Sequence, residues 1–86
     1  GEIDLIGWDD GVLCFIEVRA RRSDRFGHPA LSVDRRKQRR IVRAALAYIA
    51  RFSHPPQARF DVVAVVAPLD ETRRFTLIKN AFEANE

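Results

Sequence analysis

The dipeptide Asp10–Gly11, set between two short apolar runs, restricts this chain more than any other feature of its sequence. Ile3–Trp8 precedes it and Val12–Arg19 follows, both rich in Ile, Val, Leu and Phe. Asp-Gly readily adopts positive φ at both central turn positions, which matches the twist of two antiparallel strands. The pattern predicts a β-hairpin closed by a two-residue turn. With Asp9 facing Val12, counting outward puts Asp4 across from Glu17 and Glu2 across from Arg19. A four-residue loop keeps this register, whereas a three-residue loop slips it by one and flips the faces. Side chains alternate along a strand, so Glu17 and Arg19 project on the same side as Asp4 and Glu2.

Like charges directly opposite each other destabilise a sheet, and buried carboxylates without partners are costly or shift their pKa. A cation is therefore expected between Asp4 and Glu17. Arg19 is one candidate and a divalent metal is the other, and the residues alone leave both open. Oxygen ligands at this density suit Mg²⁺ or Mn²⁺, which bind through one or two carboxylates plus waters and a substrate phosphate. The backbone carbonyl of Val18 can supply a further oxygen. The ordinary alternative is a pair of acids on the solvated face of a half-exposed sheet. Leu13 and Phe15 argue against it, because they share the face of Glu17 and mark that face as buried at its far end.

After a polar, basic stretch from Arg21 to Leu31, a helix is predicted from Asp34 to Phe52. Ser32 or Asp34 can cap its start, and Pro55–Pro56 prevents extension beyond His54. Ile41, Ala45, Tyr48, Ile49 and Phe52 form its core stripe, with Arg36, Arg39, Arg40 and Arg43 opposite. Gln38 falls within the stripe near the helix start, either as a buried amide bonded to the sheet or as a neighbour of the metal and phosphate. Lys37 flanks that face, within reach of a phosphate. Arg59 to Ala67 reads as a third strand buried on both faces. Pro68–Leu69–Asp70–Glu71 turns the chain into an edge strand, Arg74 to Lys79, and Asn80–Asn85 is expected as a short helix or tail. Asp61 reads mainly as a structural partner for an arginine, and Trp8 and Phe26 mainly as packing. The order ββαββ implies an α/β fold, a mixed β-sheet with a flanking helix, as one domain over residues 1–86.

Charge is distributed unevenly. Residues 1–18 carry Glu2, Asp4, Asp9, Asp10 and Glu17 and no base, whereas residues 19–43 carry ten Lys/Arg against Asp24 and Asp34. A basic block of this kind fits a polyanion binder and fits equally well a solvated helix face in an arginine-rich protein. Its candidate nucleic-acid contacts are Arg21, Arg22, Arg25, Arg35, Arg36, Lys37, Arg39 and Arg40. The single cysteine, Cys14, excludes an internal disulfide framework and suits a reducing compartment. Cys14, His28 and His54 match no zinc-ligand spacing. No apolar run approaches the roughly 18 residues of a membrane span, and acids stand where a signal peptide carries bases. A cytoplasmic location without membrane association is the expectation, and monomer and dimer both remain open.

GEIDLI, FIEVRAR, SDRFG, DRRKQRR and RFDVVAV, in this order and spacing over nearly the whole chain, resemble the YraN-like family of small bacterial proteins. That family is placed in the restriction-endonuclease-like superfamily, akin to archaeal Holliday-junction resolvases. The resemblance implies a metal-dependent nuclease core in which Asp4, Glu17 and the residue at 19 form an Asp…Glu-x-Lys signature. It also implies Glu2 and Gln38 as neighbours of the site, with DNA, branched DNA included, as substrate. It further implies a helix and a strand ahead of GEID, which this sequence does not contain. One departure lies inside the signature, where Arg19 stands in place of the lysine. Arginine stays protonated, so it orients water or stabilises phosphate charge rather than taking a proton. The resulting expectation is an endonuclease with catalytic Asp4, Glu17, Arg19 and Gln38, and Mg²⁺ or Mn²⁺ on Asp4, Glu17, Val18 and Glu2. A nucleic-acid-binding module with a degenerate site, and an interaction domain pairing through its open sheet edges, are the alternatives.

Overall fold

The computed structural model describes residues 2–23, 25, 27, 33–70 and 72–84. The expected roles of Ser32 as a cap and of Phe26 in packing lie outside the described residues, as do Glu71 of the expected turn and Asn85 at the end of the expected helix or tail.

The hairpin forms as its turn chemistry dictates. Asp10 and Gly11 both take positive φ, 49° and 82°, and join β1 (Leu5–Asp9) to β2 (Val12–Arg21). The register is the one counted from the turn, with Asp9 opposite Val12 and Leu5 opposite Ile16. The paired ladder stops at Leu5, so Asp4 lies just beyond the end of β1.

Asp34 caps α1 (Arg35–Ile49), its carboxylate accepting from the Lys37 amide at 2.9 Å. This bond satisfies one of the amides that a helix start leaves without a partner. The helix ends three residues earlier than the apolar stripe suggests. Arg51 and Phe52 donate instead to the Tyr48 and Ile49 carbonyls in a tightened last turn.

The helix carries the chain to β3 (Ala58–Val66), which runs parallel to β2, and β4 (Arg74–Phe82) returns antiparallel to β3. The sheet order is β1-β2-β3-β4, so β3 is interior and β4 is an edge. This is the mixed α/β sheet expected from the element order. Leu13, Phe15, Phe60 and Val62 fill one sheet face against Ile41 and Ala45 of the helix and Val33 ahead of it. Phe15 meets Tyr48 edge-on at 5.8 Å between ring centroids, and Trp8 meets Phe52 likewise at 6.1 Å. The other sheet face is less covered, and Leu5, Val18, Phe75 and Leu77 are exposed. Among the described residues, no helix is long and apolar enough to cross a membrane.

One expectation is overturned. Residues 80–82 are neither a short helix nor a tail, because β4, expected to end at Lys79, continues as far as Phe82. The cause is Asp61, 1% exposed on β3. Its carboxylate accepts two bonds from Arg59 Nε, at 2.9 and 3.0 Å, and a third from the Asn80 amide at 2.8 Å. That third bond holds Asn80 at φ 54°, where the register between β3 and β4 shifts. Beyond the bulge Phe82 stacks on Phe60, with centroids 5.1 Å apart. Arg59 also reaches Asp9 at 2.9 Å, so one guanidinium ties the hairpin to the centre of the sheet.

Removing one partner of a buried charge pair costs more than the pair itself is worth. Asp61→Ala is therefore expected to lower unfolding stability by about 3 kcal/mol, read as the urea midpoint, and to speed amide exchange at Asn80. An unchanged midpoint would show that this carboxylate does not hold the edge strand.

Candidate functional site

Glu17 and Asp61 are the buried charged residues of the sheet, and their environments are opposite in character. Asp61 has close donors to both of its oxygens. Glu17, 4% exposed, has Arg19 Nη1 at 3.6 Å and Lys37 Nζ at 3.7 Å, both on Oε2. These separations exceed the roughly 2.7–2.9 Å of a charge-assisted hydrogen bond. The other oxygen, Oε1, is buried and has no hydrogen-bond partner among the described residues. Burial raises the Glu17 carboxyl above the usual glutamate range, and Asp4 pushes it the same way through its charge and, when one of the two acids is protonated, a hydrogen bond between the carboxyls, against Lys37 and Arg19.

Asp4 arrives from the end of β1. Its Oδ2 accepts from the Val18 amide at 2.9 Å. In the hairpin register the Ile3 carbonyl would take that amide, so the Asp4 side chain completes the ladder where the backbone leaves it. A strand residue projects its amide and carbonyl from the same edge, which turns the Val18 carbonyl toward Asp4. Asp4 is thus held beside the strand that carries Glu17, near enough for its charge to act on that carboxyl.

The remaining candidates divide. Glu2 sits in a half-exposed ion pair with Arg40 at 3.4 Å. Gln38 donates from Nε2 to the Val33 carbonyl at 2.9 Å, bracing the segment ahead of the helix rather than bonding the sheet. Arg36 is exposed on the helix, on the flank that Lys37 and Arg40 share. Arg35 and Arg39 line a groove of about 470 Å³ between α1 and the end of β4, together with Gln38 and Arg43. That groove is on the opposite flank of the helix from Lys37 and Arg40. Arg21 and Arg22 border a shallow hollow with Leu69 and Arg73 beyond the end of β2. Arg25 is exposed in the segment that follows.

The residue underrated by sequence reasoning is Lys37. It was placed at the flank of the helix as a phosphate contact, whereas it turns inward to Glu17. Its spacing of four from Ile41 and eight from Ala45 carried that signal, because residues at i and i+4 share a helix face.

These groups fit Mg²⁺ or Mn²⁺, which need only one or two carboxylates with waters and phosphate oxygens. The unbonded, buried Oε1 is the observation that favours the fit. Among the described residues no group of three or more His, Cys, Asp or Glu side chains comes together, so an all-protein cage is not formed there.

Because its pKa is raised, Glu17 binds its proton more tightly folded than unfolded. Ionising it therefore lowers stability as pH rises above about 4.5. Glu17→Gln should raise stability near neutral pH by about 1 kcal/mol, a few degrees in Tm, and flatten the pH dependence in thermal melts. A variant less stable than wild type at neutral pH would contradict this.

Comparison with known proteins places this chain in a family. The chain is 53% identical over 85 residues to a UPF0102 protein of Symbiobacterium thermophilum, covering 98% of this chain and 72% of the relative. It is 57% identical over 72 residues to one of Chlorobaculum parvum, covering 81% and 56%. It is 44% identical over 84 residues to one of a Janthinobacterium, covering 98% and 64%. Residues 1–65 match the family as a whole, and the chain therefore belongs to the uncharacterised protein family UPF0102, the YraN-like group.

Proposed function

We propose that this chain forms the core of a cytoplasmic, metal-dependent endonuclease that hydrolyses phosphodiester bonds in DNA, branched DNA included. The observation that carries the reading is Glu17. It is a buried carboxylate held by two loose cations, with one oxygen unbonded and a second acid beside it. A protein that needed Glu17 only for folding would gain from bonding it as Asp61 is bonded.

In this reading Asp4, Glu17 and the Val18 carbonyl hold Mg²⁺ or Mn²⁺, with Glu2 at the margin through its pair with Arg40. Such an ion supplies Lewis acidity and a coordinated water of lowered pKa. Arg19 stays protonated throughout, so its part is to offset charge on the pentacoordinate phosphate. Gln38 keeps the start of α1 in place, and with it Lys37. Arg36 and Arg40 on the same flank, and Arg21, Arg22 and Arg25 beyond β2, guide the DNA backbone toward the acids. Arg35 and Arg39, on the far flank, contact a more distant stretch of the same DNA.

A second reading has its own supporting observation. Arg19 and Lys37 already neutralise the acids, as a binding module that has lost its metal chemistry would show.

The test incubates this chain and a full-length UPF0102 relative with linear, nicked and four-way-junction DNA in Mg²⁺, Mn²⁺ or EDTA. Cleavage that needs the metal and falls about 100-fold or more in Asp4→Asn is the expected result. Salt-sensitive DNA binding without cleavage in either protein would leave the binding module as the function. Cutting that survives Asp4→Asn and Glu17→Gln would come from a contaminant, and would remove the proposal.

A further inference from the structure

The four charged groups of the site cancel. Asp4 and Glu17 are formally −1 each, and Arg19 and Lys37 are formally +1 each. A divalent cation added alone leaves an excess of two positive charges in a region where Glu17 is buried and Lys37 is only about a quarter exposed. Solvent screens such an excess only from the side of Asp4, which is exposed. A phosphate added alone meets two carboxylates. Each ligand therefore lowers the cost of binding the other.

The geometry also says which cation yields. Arg19 leaves the same face of β2 as Glu17 two residues on, and its planar guanidinium presents several donors in a rigid fork, so it need not release the carboxylate to meet a phosphate. Lys37 reaches in from α1 on a long, flexible stem, with its ammonium 3.7 Å from Oε2. A point charge of this kind can change partners by rotamer motion without moving the backbone.

Building on the nuclease reading, we infer that Lys37 couples metal and substrate in this site. Its ammonium offsets Glu17 while the site is empty of metal. When a divalent cation takes the carboxylate, the ammonium turns to a non-bridging oxygen of the DNA phosphate. Lys37 thus takes up part of the function that the lysine of the Asp…Glu-x-Lys signature would serve, from the helix instead of the strand. Metal and DNA bind interdependently, and free metal alone binds weakly.

The test measures Mn²⁺ binding by electron paramagnetic resonance with wild type, Lys37→Gln and Lys37→Arg, with and without a DNA duplex. Cleavage and thermal melts are followed in parallel. In wild type, DNA should tighten Mn²⁺ binding by about tenfold or more. Lys37→Gln removes a positive charge beside Glu17, so it should bind Mn²⁺ about tenfold more tightly without DNA. The same variant should cleave at least about tenfold more slowly and lose most of the enhancement by DNA. Lys37→Arg keeps the charge and should retain the enhancement.

A structural role for Lys37 predicts the opposite sign, with weaker Mn²⁺ binding and a lower Tm in Lys37→Gln. That outcome, or unchanged Mn²⁺ affinity, would overturn the coupling while leaving metal-dependent cleavage by wild type intact. Wild type that binds no Mn²⁺ even with DNA present would overturn the nuclease reading itself and the coupling with it.

Discussion

The hairpin register is the constraint on which the rest of this structure depends. Because Asp10 and Gly11 form a two-residue turn with positive φ at both positions, every residue of β1 and β2 is assigned to one face of the sheet. Leu13 and Phe15 go to the helix side and become core. Glu17 follows them on the same side, one pleat beyond the apolar packing, and is buried there. Asp4 comes to the same place from the other strand. A one-residue slip would send Leu13 and Phe15 to the open face and move Glu17 away from α1. Core formation and assembly of the acid site are therefore enforced by the same alternation, and the apolar burial that holds the hairpin also holds the carboxylates in place.

The sheet carries two charge clusters that satisfy the same residue types to different degrees. On the open face Arg59 binds Asp61 and Asp9 at 2.9 Å, Lys79 adds a second link to Asp9, and Asp61 closes on a backbone amide. Arg59 and Lys79 hold the Asp9 carboxyl below the usual carboxylate range, and its aspartate partners push the Arg59 guanidinium up. That network is saturated, and it positions β4. On the helix face the contacts to Glu17 are longer, they fall on one oxygen only, and the carboxyl is pushed up. Burying a carboxylate without full satisfaction costs stability. The cost persists in folded proteins mainly where function requires an unsatisfied group.

The parts of this arrangement that were legible in the sequence are those governed by local rules. Turn chemistry gave the register, apolar periodicity gave the helix face and the interior strand, and the proline pair bounded the helix. The end of β4 was not legible in this way. Its continuation to Phe82 rests on a hydrogen bond between Asp61 and Asn80, which are 19 residues apart, and no local pattern at Asn80–Asn85 reports it. The partner of Asp61 was legible as an arginine, because a buried acid at a strand start demands one. Lys37 was half legible. Its helical position marked the inward flank, but a lysine there is ordinarily assigned to solvent, and only the buried acid opposite reverses that assignment.

Arginine at position 19 then becomes intelligible in terms of charge. A guanidinium on the same strand face as Glu17 is a permanent cation, with no accessible neutral form near neutral pH. It can lower the energy of a negative phosphate but can neither accept a proton nor leave the site easily. A site with two acids and such a cation alone would carry a net negative charge and attract metal strongly in the absence of substrate. Lys37, arriving from the helix, restores neutrality with a group able to move. In the nuclease reading, a guanidinium on the strand and a compact ammonium on the helix together balance the two acids. In that reading the arrangement also leaves one oxygen of Glu17 without a hydrogen-bond partner among the described residues, for a ligand that brings its own compensating anion.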